Sequence, residues 1–462
     1  LIEIDLSTVE PMIALPFHPS NAYPIREFKA NMADLLHQVD LDAAEQLGIR
    51  NAASLTAKIV NGQFHVDQGV IAGCSGGTYQ NLVRAAQILD GHSIGADAFW
   101  LSCYPGSMPI HLELTKNGYI ASLMASGASI RSCFCGPCFG AGDVPANGAF
   151  SIRHSTRNFP NREGSKPGDG QISYVALMDA RSIAATAANG GRITAATDID
   201  YTSVHHDYHF DKGVYDRRLY YGFGKADPSV ELVMGPNITD WPKMQPLAEN
   251  LLVELAAVLH DPVTTTDELI PSGETSSYRS NPLRLAEFTL SRREPAYVGR
   301  AKAVAEIEAE RLGGDAPEKL TAILDKVGDG SALVKTTQFG SCVFANKPGD
   351  GSAREQAASC QRVLGASANI AREYATKRYR SNLINWGMVP FVTVSAPDFA
   401  DDDYIFVPNI REALEGSMVN IPAYVLGETI KPLTLAIAPL TKEEKDIIRA
   451  GWLINYNRML KK

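Results

Sequence analysis

Apolar residues recur at two different periods through the first two hundred positions. Residues 70–72 form a short apolar run typical of a buried strand, and a second strand is predicted near Phe99. Residues 79–89 carry apolar side chains at helical spacing, and further helices are predicted near Ile110 and Ala184. Strands that alternate with helices are typical of an α/β fold, so we expect an α/β domain here.

The character of the chain changes twice after this region. Residues 1–205 are predicted to form the α/β domain, residues 206–241 are polar and aromatic and are predicted to be a linker, and residues 242–462 are predicted to form a second domain. Within the last of these, Ser352 and Glu355 have capping-box spacing before an apolar-striped helix, which predicts Ser352 as the N-cap.

Composition narrows the class of protein. The 462 residues are 45% hydrophobic and 21% charged, which is typical of a globular protein and excludes wholesale disorder. The net charge of −9 argues against a broad electrostatic nucleic-acid binder, so nucleic acid is an unlikely partner. No apolar run reaches the roughly 18 residues of a membrane span, so we expect no membrane partner. The cysteine content suits a reducing compartment better than a disulfide scaffold, so the cytoplasm is the default compartment.

Seven cysteines are too few, in a chain this long, for a disulfide scaffold. Cys135 and Cys138 flank a Gly-Pro turn that would aim two thiolates at one centre. Cys74 follows the predicted strand at 70–72 and precedes a helix, where the helix dipole favours a thiolate. A zinc site, a thioredoxin-type redox pair, buried structural thiols and a glycine-rich phosphate loop at 73–78 are the alternatives that the residues alone leave open.

Five motifs in register resemble the aconitase family of iron–sulfur hydro-lyases. The first domain contains Gly-Cys-Ser-Gly-Gly at 73–77, Cys-Gly-Pro-Cys-Phe-Gly at 135–140 and Ser-Thr-Arg-Asn-Phe-Pro-Asn-Arg at 155–162. The second contains Thr-Thr-Thr-Asp at 264–267, which runs on to Tyr-Arg-Ser-Asn at 278–281, and Gly-Asp-Gly-Ser-Ala-Arg-Glu-Gln at 349–356. The resemblance implies an aconitase-like three-layer α/β domain followed by a swivelling, β-rich α/β last domain.

The resemblance also implies the chemistry. It assigns a [4Fe–4S] cluster, one iron of which has no protein ligand, and a small di- or tricarboxylate substrate that undergoes reversible dehydration. Arginines suit such a substrate because the guanidinium fork matches a carboxylate. The residues that match the family's motifs are Cys74, Cys135 and Cys138 for the cluster, Arg157, Arg162, Arg279 and Arg354 for the substrate, and Ser352 for the catalytic base.

Three departures from the family's motifs leave the substrate open. Ala353 stands where a second serine is common, Thr156 where an asparagine is common, and Ser75-Gly76 where Thr-Asn is common. Two other functions are therefore alternatives: an iron- or redox-sensing, RNA-binding homologue without activity, and an isopropylmalate-isomerase-like dehydratase. The opening segment resembles the entry to the family's third domain, so we expect this chain to need an N-terminal domain of the same protein for turnover.

Overall fold

The computed structural model describes residues 2–48, 54–95, 98–166, 170–271, 275–351, 353–393 and 398–460. The chain divides into two compact units, residues 1–231 and 232–462. Each unit contains both helices and strands, which confirms the predicted α/β class. The predicted domain boundaries, the three-layer arrangement and the swivelling of the last domain stay predictions.

A seven-stranded sheet forms the centre of the first unit. Its strand order is β2-β1-β9-β8-β5-β6-β7; the five strands from β9 to β7 are parallel, whereas β1 pairs antiparallel with both of its neighbours. A separate two-stranded pair is formed by β3 and β4. The strands are β1 (Met12–Ala14), β2 (Ala22–Pro24), β3 (Ile59–Val60), β4 (Gln63–Phe64), β5 (Gln68–Ile71), β6 (Trp100–Cys103), β7 (Ser129–Ile130), β8 (Phe150–His154) and β9 (Tyr174–Met178).

Helices of the first unit pack on this sheet and on each other. The predicted strands near residues 70 and 99 and the predicted helices near residues 82, 110 and 184 are all present, and the Thr78 side chain caps the helix that follows it, as expected. The helices are α1 (Ile25–Ala30), α2 (Met32–Leu47), α3 (Gly73–Gly76), α4 (Tyr79–Leu89), α5 (Met108–Lys116), α6 (Tyr119–Ala125), α7 (Ala180–Ala188) and α8 (Gly213–Asp216).

The second unit is built around a closed barrel of seven strands. Its order is β10-β12-β14-β15-β18-β17-β16, and β11 pairs with β13 beside it. Every residue of β12 is buried, as expected for a strand covered on both faces. The strands are β10 (Asn250–Leu259), β11 (Thr264–Thr265), β12 (Thr337–Ala345), β13 (Pro348–Asp350), β14 (Ala366–Ala371), β15 (Val389–Val392), β16 (Tyr404–Val407), β17 (Ile421–Leu426) and β18 (Ile430–Ile437).

The helices of the second unit include the one that the sequence predicts after residue 352. They are α9 (Thr266–Leu269), α10 (Pro282–Ala286), α11 (Tyr297–Gly313), α12 (Glu318–Leu324), α13 (Gly330–Leu333), α14 (Arg354–Val363), α15 (Lys377–Asn385), α16 (Ile410–Glu415), α17 (Lys442–Ala450) and α18 (Leu453–Leu460). Across the described parts of the chain, none of the helices combines the length and apolar character that a membrane crossing requires.

The capping box predicted at the start of α14 involves Ser352, which lies outside the described residues. The described residue just before the helix is Ala353, whose methyl side chain accepts no hydrogen bond. The Glu355 carboxylate accepts a hydrogen bond of 3.0 Å from Trp386 Nε1, at the end of α15. Glu355 is therefore engaged in a tertiary contact.

Candidate iron–sulfur and carboxylate site

The Cys74 loop lies at the carboxyl end of β5, where the sequence predicts it. The structure adds a single helical turn, α3, which carries the exposed Cys74 between the strand and α4. Two glycines allow this turn to sit against neighbouring backbone: a Cβ at Gly76 would lie 2.2 Å from the His154 carbonyl oxygen, and one at Gly77 would lie 2.2 Å from the Tyr104 carbonyl oxygen. The departure from the family's asparagine at residue 76 therefore has a steric reason.

The Cys135–Cys138 turn packs directly against α3. Residues Gly136–Cys138 form a 3-10 helix with Cys135 as its N-cap, and the Cys138 N–H donates to the Cys135 carbonyl at 2.9 Å. Gly73 has a left-handed backbone (φ +74°), and a Cβ there would lie 2.7 Å from Cys138 Sγ. The sulfur of Cys138 thus occupies the space that any other residue at position 73 would fill, next to Cys74.

Three thiols from two adjoining loops fit the ligand set of an iron–sulfur cluster. Within the described ranges, no group of three or more His, Cys, Asp or Glu residues is close enough to hold one metal ion. This geometry is compatible with a cluster because each thiolate of a cluster binds a different iron, so the sulfurs need not meet at one point. The buried Ser75 Oγ, in the residue next to Cys74, has no hydrogen-bond partner among the described residues.

Opposing effects act on the Cys138 thiol. Burial is the largest and raises its pKa, and the neighbouring Cys135 acts in the same direction. Arg162, the Thr156 N–H and Arg153 lower the pKa because each stabilises the thiolate. The net pKa is raised, so in the metal-free chain Cys138 is held as a thiol that positive groups already surround.

The arginine motif at 157–162 lies beside the cysteine turn. The two loops cross at glycines: a Cβ at Gly140 would lie 2.7 Å from the Cα of Gly164. Both arginines that the sequence assigns to substrate, Arg157 and Arg162, lie near Pro137 in a packed region that has no space for a water molecule. The structure therefore brings two of the four predicted arginines next to the predicted cluster cysteines.

Asn158 fixes the arginine loop to the sheet. Its Nδ2 donates to three backbone carbonyls, at 3.2 Å to Ala14, 2.8 Å to Leu15 and 3.1 Å to Val175. The side chain is 2% exposed, so these bonds are shielded from water. Because Asn158 follows Arg157 directly, the anchor limits where the guanidinium of Arg157 can reach.

In the second unit, two glycines bring two motifs of the resemblance together. The strand pair β11–β13 places Thr266 beside the turn at 349–351. At Gly351 (φ +126°) a Cβ would lie 2.2 Å from Thr266 Oγ1, and at Gly349 (φ +95°) one would lie 2.3 Å from the Tyr379 ring. The turn that precedes Arg354 is therefore shaped by contacts that only glycine permits.

The other two predicted arginines lie on neighbouring elements of this unit. Arg279 is exposed and ends the 3-10 helix Ser276–Tyr278, and Arg354 is the first residue of α14, against which α10 packs. Burial lowers the pKa of Arg354, and the like charge of Arg378 lowers it further. An open cleft with net positive charge surrounds Arg354 and is lined by Arg354, Glu355, Lys377, Arg378, Ser381 and Asn382.

The remaining predicted residues are the base, Ser352, and the four cysteines outside the predicted ligand set. Ser352, predicted as the base, lies outside the described residues. All seven cysteines are free thiols. Cys103, Cys342 and Cys360 are buried, and burial raises the pKa of Cys103 to about 12, whereas Cys133 is half-buried two residues before Cys135.

Sequence reasoning missed Arg153, which is fully buried under the cysteine turn. The sequence did contain a signal for it: Ser151 and Arg153 are two residues apart on the strand β8, so both side chains project from the same face of a buried strand. It also missed Arg378 and Lys377, because lysines and arginines on a helix are ordinarily solvated surface residues.

Comparisons with known proteins agree with the motifs. Residues 1–185 match the family model described as aconitase family (aconitate hydratase), and residues 324–396 match the aconitase C-terminal domain. Together the two segments cover more than half of the chain.

The individual relatives have low sequence identity to this chain. The mitochondrial aconitate hydratase of Candida albicans is 25% identical over 423 residues, which is 86% of this chain and 49% of the relative. That of Arthroderma benhamiae is 26% identical over 462 residues, 95% of this chain and 52% of the relative. The 3-isopropylmalate dehydratase large subunit of Moorella thermoacetica is 28% identical over 199 residues, 43% of this chain and 38% of the relative.

Among solved structures, a 3-isopropylmalate dehydratase from Methanocaldococcus jannaschii aligns with 46% of this chain and 95% of its own, at 21% identity and a TM-score of 0.29. The chain spans about half the length, or less, of these curated relatives. Two family models in the expected order, over segments that contain the cysteine, arginine and glycine-turn motifs, are consistent with each other. The chain belongs to the aconitase family.

Proposed function

We propose that this chain is the cluster-binding and substrate-binding part of an aconitase-like hydro-lyase. The reaction would be the reversible dehydration of a hydroxy-polycarboxylate. The observation that carries the proposal is the packing of the Cys135–Cys138 turn on the Cys74 loop, in which Cys138 Sγ fills the space beside Gly73. Gly73 and Cys138 lie far apart in sequence, and their contact brings the turn that carries Cys135 and Cys138 next to the loop that carries Cys74.

Cys74, Cys135 and Cys138 would hold a [4Fe–4S] cluster through their thiolates. When bound, such a group supplies a Lewis-acidic iron that polarises a substrate hydroxyl and makes it a better leaving group. The turn at Gly136–Cys138 and the helical turn α3 would present the three sulfurs, and the surrounding arginines would offset their negative charge.

The four arginines would bind and orient the carboxylates of the substrate. Arg157 and Arg162 would act from the first unit, next to the cysteines, and Arg279 and Arg354 from the second. A carboxylate beside Arg354 would also be attracted by Arg378 and Lys377, which line the same cleft. Ser352 would remove the proton from the carbon next to a carboxylate, because a helix N-terminus and Arg354 would stabilise its alkoxide.

Anaerobic reconstitution of the 462-residue chain with iron and sulfide tests the cluster. We expect Cys135→Ser to abolish the visible absorbance and the iron content, whereas Cys133→Ser, two residues away and outside the ligand set, should load as the wild type does. Cys103→Ser is a second control, from the buried end of β6. Equal iron content in the Cys135 and Cys133 variants would contradict the ligand assignment.

The predicted need for a further domain is tested by a hydratase assay on the reconstituted chain. We expect little or no turnover, and robust turnover would contradict that prediction. A dicarboxylate substrate of the malate type is the second candidate, favoured by the 28% identity to 3-isopropylmalate dehydratase large subunits. Assays with both substrate classes, on a chain supplied with whatever domain it requires, distinguish the two.

Two further expectations remain predictions. The RNA-binding sensor requires a mobility-shift difference between iron-loaded and iron-free chain, and the net charge of −9 favours no shift in either state. The cytoplasm stays the predicted compartment because seven free thiols suit a reducing environment. The names of two aconitate hydratase relatives place those proteins in mitochondria, which is also a compartment that an imported chain could occupy.

A further inference from the structure

Arg153 is a fully buried charge in the middle of the sheet. It lies on β8, is 1% exposed, and is one of the largest completely buried side chains in the described chain. The Glu163 and Asp143 carboxylates act on it electrostatically, and its hydrogen bonds go to neutral carbonyl, amide and hydroxyl oxygens. Burying a guanidinium costs free energy unless such hydrogen bonds replace its contacts with water.

Its hydrogen bonds converge on the cysteine turn. Nη1 donates to the Pro137 carbonyl at 2.8 Å, and Nη2 donates to the Asp143 carbonyl at 2.6 Å. Pro137 lies between the two cysteines of the turn, and Asp143 lies five residues after Cys138. The planar fork of one side chain therefore ties down the turn and the end of the loop that follows it, at a fixed separation.

Neighbouring side chains hold the guanidinium itself in place. Gln68 Oε1 accepts from Nη2 at 3.0 Å, and Ser151 Oγ accepts from Nε at 3.0 Å. Gln68 Nε2 also donates to the Asp143 carbonyl, at 3.1 Å. The Asp143 carboxylate in turn accepts from Tyr104 OH at 2.5 Å, so the end of the loop is fixed through both its backbone and its side chain.

We infer that Arg153 is a positioning residue that holds the 135–143 loop in the conformation in which Cys135 and Cys138 can share a cluster with Cys74. This inference rests on the proposed function for its purpose, but its geometry is independent of any bound group. Residues 135–143 contain only short turns and no strand. Without the fork, the Asp143 end of the loop would keep its bonds to Gln68 and Tyr104, whereas the Pro137 carbonyl between the two cysteines would lose its charged donor.

Hydrogen–deuterium exchange on the iron-free, full 462-residue chain tests the inference directly. We expect Arg153→Met to speed exchange in a peptide spanning 133–145 by about tenfold or more, because two carbonyls lose a charged donor. A peptide spanning β5 should exchange as in the wild type. Arg153→Lys retains the charge but cannot bridge both carbonyls, so it should resemble Arg153→Met.

Two variants make the result specific. Arg362→Met is the matched control: Arg362 is also a buried arginine, and it donates to the carbonyls of Ala366, Gln245 and Gly451 in the second unit. It should leave the 133–145 peptide unchanged. Gln68→Met removes one of the two donors to the Asp143 carbonyl, so it should speed exchange of the 133–145 peptide less than Arg153→Met does. It replaces Arg153→Met in this test if that variant does not fold.

Iron content after anaerobic reconstitution is the second readout. We expect at least a fivefold loss in Arg153→Met and no loss in Arg362→Met. A folded Arg153→Met with unchanged exchange at 133–145 overturns the inference, as does equal acceleration across all peptides of the first unit, which indicates a merely structural role. If the wild type takes up no iron while the loop still loosens in Arg153→Met, the positioning holds and the proposed function fails.

Discussion

Replacing Gly73 by alanine should separate the effect of backbone strain from the effect of displacing a cysteine. Gly73 has φ +74°, where alanine costs about 1–2 kcal/mol because its Cβ approaches the following carbonyl. The new Cβ would also lie 2.7 Å from Cys138 Sγ, whereas ordinary contact begins near 3.4 Å. Either the sulfur or the loop must therefore move.

The chain offers a control with the same strain and no clash. Gly148 has the same φ of +74°, lies in the same unit, and a Cβ there would meet nothing within 4 Å. Gly148→Ala should show only the backbone cost. Gly73→Ala should lose about 1–3 kcal/mol more, the usual range for overpacking, which corresponds to an extra fall in Tm of about 2–12 °C for a domain of this size.

Thermal and urea unfolding of the iron-free chain measure the two stabilities, and reconstitution measures the functional consequence. We expect Gly148→Ala to load iron as the wild type does and Gly73→Ala to load at most a small fraction, because Cys138 can no longer occupy its place beside Cys74. Equal stability and equal iron content in the two variants would refute the packing of Cys138 against Gly73.

Two other perturbations probe the surroundings of the site. Asn158→Ala should destabilise the first unit by about 1–3 kcal/mol in urea unfolding, because three buried carbonyls lose their donor. Asn158→Asp should destabilise it more, because a carboxylate would face those carbonyls. An Asp variant as stable as the wild type would contradict this expectation. Burial lowers the pKa of His154, whose Nδ1 accepts from the Ala180 N–H at 3.1 Å, so the unfolded chain takes up the proton first as the pH falls. The contribution of His154 to the free energy of unfolding should therefore be fully present above about pH 6.5 and should decline below it. His154→Gln should flatten that decline. An unchanged pH profile would exclude His154 as its source.

Much of the local structure was predictable because it depends on neighbours in sequence. Apolar periodicity located β5 and α4, and the Thr78 cap followed from its position before the helix. The capping box at Ser352 and Glu355 stays a prediction, because Ser352 lies outside the described residues. The Glu355 carboxylate bonds Trp386, at the end of α15, and a pattern of four residues cannot reveal a partner that lies 31 residues away.

The sequence by itself determined the family and the identity of the candidate ligands, because cysteine, arginine and glycine types at fixed spacings carry that information without coordinates. Only the tertiary structure decided how those residues are held. The contact between Gly73 and Cys138 joins two loops that are far apart in the chain, and the bonds from Arg153 tie a buried strand to the cysteine loop before it. Burial is the physical reason: whether an arginine is a solvated surface charge or the support of a cysteine loop depends on what covers it, and local sequence does not encode that.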